Sequence, residues 1–325
     1  MTRHISPLLS VENHSVDFPT EFGTTRAVDR VSYGIGPGDA VGVVGESGCG
    51  KTVAALATLR LVPPPGRISG GKIFFESKDL LTFGEGQLEK IRGDRVAMIF
   101  QEPATALNPA FTVGDQIAEV LQTHRNTPPQ AAFEAAVDLL DQVGIPAPHQ
   151  RVHDYPHNLS GGMRQRVMIA MALACGPALL IADEPTTALD VTIQFQILDL
   201  LSKLREQLGM AIQFISHNLA VVAEIADEVL VMYAGRIVER APSTKIFRRP
   251  FHPYTKGLLK TIPRLDQRSR RLPTIPGVVP DERPHGCAFL DRCSMKVPRC
   301  ARAEPQLEMV DDGHAAACFV VSGSQ

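Results

Sequence analysis

Val41-Gly42-Val43-Val44-Gly45-Glu46-Ser47-Gly48-Cys49-Gly50-Lys51-Thr52 is the stretch on which the reading of this chain turns. The apolar run from Asp39 to Gly45 has the length of a fully buried strand, and helical patterning follows from Thr52 to Leu61. Between them lies Gly-x-x-x-x-Gly-Lys-Thr, and a strand before and a helix after are the setting in which that spacing binds phosphate. Gly45, Gly48 and Gly50 let the backbone curl, so that the N–H groups of the loop, including those of Glu46, Ser47 and Cys49, turn inward at the positive end of the helix. Lys51 is expected to meet the β- and γ-phosphates of a nucleotide and Thr52 to ligate Mg²⁺.

A second apolar run, Leu179-Leu180-Ile181-Ala182, ends in Asp183-Glu184. A strand that delivers two acids at its carboxyl end matches a Walker B element. Asp183 would then hold Mg²⁺, and Glu184 would act as general base on the attacking water. A third segment reads Leu159-Ser160-Gly161-Gly162-Met163-Arg164-Gln165-Arg166. Ser160 is placed to cap a helix, so a hydroxyl, glycine N–H groups and a positive helix end make an anion-binding surface with no lysine of its own.

Bulk properties set limits around these motifs. At 325 residues the chain suits one domain of about 250 residues with an appendage, or two domains. A formal net charge of -2 and the absence of Trp give no support for electrostatic binding or base stacking on nucleic acid. The longest apolar stretch, Val167 to Ala182, is broken at Gly176-Pro177 and falls short of the roughly 20 residues a membrane span needs. It reads as a helix followed by a buried strand. The N-terminus shows no signal-peptide pattern, which predicts a cytosolic chain, and the six cysteines then argue for metal binding or burial before disulfides. Cys175, at a helix end, reads as simply buried. Helical patterns also cover Ala131 to Val143, Gly162 to Ala174 and Thr192 to Leu208, so the fold class is α/β with a largely parallel sheet. No internal repeat is present. Composition changes near residue 245: ten of the 25 prolines lie from Pro242 to Pro305, and four of the six cysteines follow Gly286.

With these motifs in this order, residues 8 to 260 resemble the ABC ATPase family, whose signature is similar to Leu159–Arg166, with Met163 in place of the usual Gln. The resemblance implies a P-loop NTPase with a RecA-like core, an antiparallel β subdomain and a helical subdomain at about residues 102–165, all within residues 1–245. It implies that Gln101 is the glutamine that touches Mg²⁺ or the attacking water, that His217 contacts the γ-phosphate, and that Asp190 links the two sites of a dimer. It also implies an aromatic stacked on adenine; the distance to Lys51 selects Phe18, with Phe22 as second choice. Ser160, Gly161 and Gly162 would close over a nucleotide held by another subunit.

Residues 246–325 narrow the resemblance. Arg249-Pro250-Phe251-His252-Pro253-Tyr254, Pro276-Gly277-Val278 and Cys287 to Cys293 look like the C-terminal region of the oligopeptide/dipeptide/nickel branch of ABC importers. That branch implies a second, nonidentical ATPase subunit, two membrane permease subunits and an extracytoplasmic solute-binding protein. This chain would then be peripheral on the cytoplasmic face of the inner membrane, with peptides as the majority cargo. Cys287, Cys293, Cys300 and Cys318 form a Cys-rich group in a Pro-rich segment that a metal centre would stabilise. Four thiolates suit an iron–sulfur cluster or tetrahedral Zn²⁺, and spacing does not decide between them; the family resemblance favours [4Fe-4S]. His285 and His314 flank the group and read as solvated loop residues that could substitute as ligands. Two other functions compete: a soluble ABC-type ATPase acting on DNA or ribosomes, and a small-molecule kinase. The absence of a coiled-coil insertion or second cassette argues against the first, and the Leu159–Gly162 segment against the second.

Overall fold

The computed structural model describes residues 7–21, 23–187, 189–262, 274–280 and 284–322. Strands among them are β1 (Leu9–Thr20), β2 (Gly23–Ile35), β3 (Ala40–Val44), β4 (Arg67–Phe75), β5 (Lys78–Asp79), β6 (Val96–Ile99), β7 (Leu179–Asp183), β8 (Ala211–Ser216), β9 (Glu228–Tyr233), β10 (Arg236–Pro242), β11 (Glu308–Asp311) and β12 (His314–Ala316). The chain forms two compact units. One draws on the described residues of Met1–Ile35, Ala40–Leu81 and Phe214–Gln325, the other on Gly36–Asp39 and Thr82–Gln213.

In the first unit β2, β1, β4 and β5 form an antiparallel sheet in that order. Leu9 and Val11 of β1 are buried and stand opposite Phe75 and Ile73 of β4. Bulges interrupt β1 after Val11, and Gly71 (φ +90°) passes them so closely that a Cβ would lie 2.5 Å from the Glu12 carbonyl. A second sheet includes the run β11-β12-β10-β9-β3, in which β3 is the phosphate-loop strand. β3 is parallel to β9, pairing Val41 with Glu228 and Val44 with Val231, and every residue of β3 is buried. The helix Leu219–Ile225 packs directly on β3, because a Cβ at Gly42 would lie 2.2 Å from Val222 Cγ1. β10 pairs antiparallel with β12, Glu239 opposite Ala316, so strands from the cysteine-rich tail extend this layer.

In the second unit β6 and β7 are parallel, from Val96 opposite Leu179 to Ile99 opposite Ala182. The predicted helices occur at Pro129–Gln142, Gly161–Leu173 and Val191–Leu208, and the predicted buried strand after Gly176 is β7. Of the described helices with no counterpart in the sequence reading, the longest is Val113–Arg125. Thr112 caps it by accepting from Asp115 N at 3.2 Å, and Val113, Ile117 and Leu121 face inward. Ala118, Leu121, Ala132 and Cys175 form a buried cluster there, which places Cys175 where the sequence suggested.

The expectation of a largely parallel sheet holds for β3 with β9 and for β6 with β7; the other pairings described are antiparallel.

Candidate nucleotide site

The phosphate loop leaves β3 at Val44 and enters the helix Lys51–Thr58, as the sequence predicts. Gly50 has φ +97°, and a Cβ there would stand 2.3 Å from Ala27 O; at Gly45 it would stand 2.3 Å from Met232 O. Both glycines are thus required by close backbone approach. Lys51 is 5% exposed, and its ammonium donates to Gly45 O (2.8 Å), Glu46 O (3.1 Å) and Cys49 Sγ (3.8 Å). The loop therefore holds its own lysine inside the curl in which phosphate oxygens would sit. Cys49 is fully buried, and burial raises its thiol pKa against the lowering effect of Lys51. Glu46 N donates to Tyr254 Oη at 2.8 Å, and Gly235 N to Cys49 O at 3.0 Å. Thr52, half-buried, is the second residue of the helix.

A cavity of about 940 Å³ opens beside Glu46, Ser47 and Gly48, with Thr24 and Arg26 on one wall and Val278 from the tail on another. Phe18 does not line it. Its ring packs over Gly66, where a Cβ would be 2.5 Å from Phe18 Cε1, and no aromatic side chain among the described residues lines the cavity. Phe22 lies outside the described residues. His217, also in the first unit, is exposed between β8 and the helix Leu219–Ile225, which Asn218 caps by accepting from Ala220 N at 3.0 Å.

The second unit holds the remaining residues. Asp183 ends β7 and is buried, while Glu184 follows in the left-handed region (φ 47°), a conformation that costs a non-glycine residue about 1 kcal/mol or more. Glu184 Oε2 accepts from Thr187 Oγ1 at 2.9 Å and from Gln101 Nε2 at 3.4 Å, so the expected base and the expected glutamine meet. Thr187 was not singled out in the sequence. Ser160 caps the helix Gly161–Leu173, accepting from Met163 N at 3.3 Å, and Gly161 is exposed. Gly162 lies against Ile193, whose Cγ2 would be 3.1 Å from a Cβ. Asp190 caps the helix Val191–Leu208 through Ile193 N at 3.0 Å.

In the tail, Cys287, Cys293, Cys300 and Cys318 are free thiols that line one pocket of about 10 Å³, at most the space of one water. Cys287 N donates to Cys300 O at 2.8 Å. Burial first, then the other three cysteines, pushes the Cys287 thiol up to about 11, and burial raises Cys318 too. Among the described residues, no three His, Cys, Asp or Glu side chains are set to hold a metal ion. His285 is exposed, as expected of a solvated loop residue, but His314 is not solvated: it is 1% exposed, with Nε2 2.7 Å from Glu239 Oε1. Strand pairing of β12 with β10 carries it into the interior, which the short loop-like sequence around it did not signal. Arg292 was also missed; it forms a two-pronged ion pair with Glu46 of the phosphate loop across 246 residues of chain.

Comparison with known proteins agrees with this geometry. Residues 28–187 match a family model described as ABC transporter, and residues 238–300 one described as oligopeptide/dipeptide transporter, C-terminal region. The chain is 50% identical over 313 residues to the dipeptide transport ATP-binding protein DppD of Escherichia coli strain K12, covering 96% of each chain. It is 50% identical over 316 residues to a probable peptide ABC transporter ATP-binding protein, y4tR, of Sinorhizobium fredii, covering 96% of this chain and 94% of the other. Among solved structures, the dimeric ABC transporter cassette MJ0796 superposes with a TM-score of 0.65 at 24% identity, over 72% of this chain and 98% of that one, a likeness of fold. At 50% identity to DppD over 96% of both chains, and with the matched tail, the chain belongs to the ABC transporter ATP-binding proteins of the oligopeptide/dipeptide family.

Proposed function

We propose that this chain is the ATP-hydrolysing subunit that powers import of peptides, or of a related small solute, through a multi-subunit ABC transporter. The observation that carries the reading is the tail, which matches the oligopeptide/dipeptide C-terminal region and is joined to residues that match the ABC transporter family model. Lys51 and the N–H groups from Gly45 to Gly50 bind the triphosphate. Thr52 and Asp183, with Gln101, would hold Mg²⁺, which neutralises charge on the phosphate oxygens. Glu184, steadied by Thr187, takes the proton of the attacking water, and His217 contacts the γ-phosphate. Catalysis is then mainly positioning and charge stabilisation.

In the ABC family the signature of one subunit closes over ATP held by another's phosphate loop; with one of each in this chain, Ser160-Gly161-Gly162 would serve another subunit's nucleotide and Asp190 would link the two sites. The partners are a second, nonidentical ATPase subunit, two membrane permeases and, through them, an extracytoplasmic solute-binding protein. Among the described residues no helix is long and apolar enough to cross a membrane; attachment to the cytoplasmic face of the inner membrane is through the permeases. Residues 1–245 act as the cassette, with 102–165 as its helical part, and 246–325 as the peptide-branch tail. The aromatic that stacks on adenine is left to Phe22, since Phe18 packs on Gly66.

The test is Glu184→Gln in the assembled transporter. ATP binding is retained, while turnover and peptide uptake fall by at least about 100-fold, the scale of a lost general base. Wild-type hydrolysis in that variant refutes the base assignment. Recovery of the chain on ribosomes or DNA, with no membrane association on permease co-expression, favours the soluble alternative.

We also propose a [4Fe-4S] cluster as the resident group, held by Cys287, Cys293, Cys300 and Cys318, on the resemblance of the tail to the oligopeptide/dipeptide branch. All four cysteines line one pocket, and four thiolates suit either this cluster or tetrahedral Zn²⁺. Bound there, the cluster would supply cross-links to a segment poor in apolar residues. Iron and sulfide analysis of anaerobically purified protein, with its visible absorption, decides; a colourless protein with stoichiometric zinc reverses the assignment.

A further inference from the structure

The tail grips the phosphate loop through one side chain. Arg292, closing the 3-10 turn Leu290–Arg292, sets Nη1 2.6 Å from Glu46 Oε2 and Nη2 2.8 Å from Glu46 Oε1. Its other N–H groups are also used: Nε donates to Pro276 O (2.9 Å), Nη2 to Ile275 O (3.3 Å) and Nη1 to Tyr233 Oη (3.4 Å). A guanidinium has five N–H donors, so each finds an acceptor. The side chain is 5% exposed, and its plane lies over Tyr233 and Phe289, 5.7 and 5.9 Å from their centroids. This is a built, partly desolvated ion pair of the strong bidentate type, unlike a surface pair worth little.

Glu46 is an awkward residue for its position. It follows Gly45 directly and lines the cavity next to Ser47 and Gly48, where a triphosphate with several negative charges would lie. An uncompensated carboxylate there repels the ligand. Arg292 cancels that charge and clamps the side chain, while Tyr254 fixes the same residue's backbone N–H. Ile275 and Pro276, which take up the rest of Arg292, are continuous with Gly277, Val278 and Val279 on the cavity wall. The 3-10 turn is itself anchored at the cysteine pocket, Leu290 N donating to Cys287 O at 3.0 Å and Cys293 N to Leu290 O at 3.3 Å.

We propose that Arg292 is a positioning residue of the ATP site: by neutralising and fixing Glu46 it sets the affinity of the phosphate loop for nucleotide, which makes that affinity depend on a folded tail. The proposal rests on the reading of Gly45–Thr52 as the phosphate site.

The test is titration of the full chain with a fluorescent ATP analogue and Mg²⁺, followed by ATP hydrolysis in the assembled transporter. Arg292→Ala weakens binding about tenfold and Arg292→Lys, which keeps charge but not the fork, about threefold. Adding Glu46→Gln to Arg292→Ala removes the stranded carboxylate and restores binding to within about threefold of wild type. KM rises in parallel while kcat changes less than about threefold, because the lost interaction serves ground and transition states alike. Wild-type affinity in Arg292→Ala, or a double variant as weak as the single one, overturns the proposal; a tail merely unfolded by Arg292→Ala gives the second of these results. Lys51→Ala separates the underlying reading: if it binds ATP normally, the phosphate-site assignment falls and the proposal with it. If it abolishes binding while Arg292→Ala keeps wild-type affinity, the proposal alone falls.

Discussion

Replacing Glu239 with alanine is expected to unseat the tail from the rest of the first unit. The carboxylate is 0% exposed and has three partners from two later segments. Oε1 accepts from Phe251 N at 2.6 Å and lies 2.7 Å from His314 Nε2; Oε2 accepts from His252 N at 3.0 Å. Alanine strands two buried N–H groups and one imidazole nitrogen, each costing about 1–3 kcal/mol when no water replaces the acceptor. Taking the low end for each, with the small cavity added, gives a loss of about 3–5 kcal/mol, the range seen when one partner of a buried pair is removed. That is a large share of a typical total of about 5–15 kcal/mol. Glutamine is the informative control. Whichever way its amide turns, the NH₂ meets a backbone donor, Phe251 N–H at one oxygen position or His252 N–H at the other, so a cost of about 1–3 kcal/mol persists. The chain has no Trp, so urea unfolding is followed by far-ultraviolet circular dichroism. Trypsin sensitivity after residue 245 reports where the loss falls. An alanine variant within about 1 kcal/mol of wild type, or glutamine costing more than alanine, refutes the account.

His14 gives a pH signature: burial lowers it to about 4, and both ring nitrogens lack hydrogen-bond partners. Burial likewise lowers His252 to about 3. Because both folded values lie below that of an unfolded histidine, about 6.5, stability is full above pH 6.5. It falls as pH drops below 6.5, by up to about 1.4 kcal/mol per pH unit for each histidine, until the folded value is reached. His14→Leu removes one histidine's share of that slope between pH 6.5 and 5 in urea midpoints; an unchanged slope contradicts the assignment. Gly50→Ala drives a methyl group to 2.3 Å from Ala27 O at a φ of +97°, so ATP affinity falls at least about tenfold while circular dichroism stays native. Thr112→Ala removes the cap of the helix Val113–Arg125 and costs about 1 kcal/mol, which Thr112→Ser recovers in the same unfolding assay.

What the sequence disclosed follows a physical division. The phosphate loop, the acids after β7, and the caps Ser160 and Asp190 are local devices: a few adjacent residues set backbone curl, strand end or helix start, so spacing alone reveals them. The helix Val113–Arg125 has the same kind of signal, Thr112 with Asp115 three residues on, and a reading attentive to caps would have found it. Glu46 with Arg292 and Glu239 with His314 are different, joined across 246 and 75 residues by the docking of the tail. No local pattern distinguishes Arg292 from the other arginines of the tail. The place of Phe18 has a related cause: distance along the chain to Lys51 says nothing about which face of β1 a ring takes, and its face is the one against Gly66.

Cys49 gives the phosphate loop a gauge of its own opening. Its sulfur is fully buried between Gly45 and the Lys51 ammonium, and burial holds the thiol in its unreactive protonated form. A small thiol reagent can modify it only in molecules whose loop has come apart, much as an amide exchanges its hydrogen only when opened. The ratio of its modification rate to that of an exposed thiol is therefore an opening equilibrium constant, read by peptide mass without any introduced label. Nucleotide that binds only the closed loop slows the reaction by the factor 1 + [L]/Kd, so the same side chain converts occupancy into time.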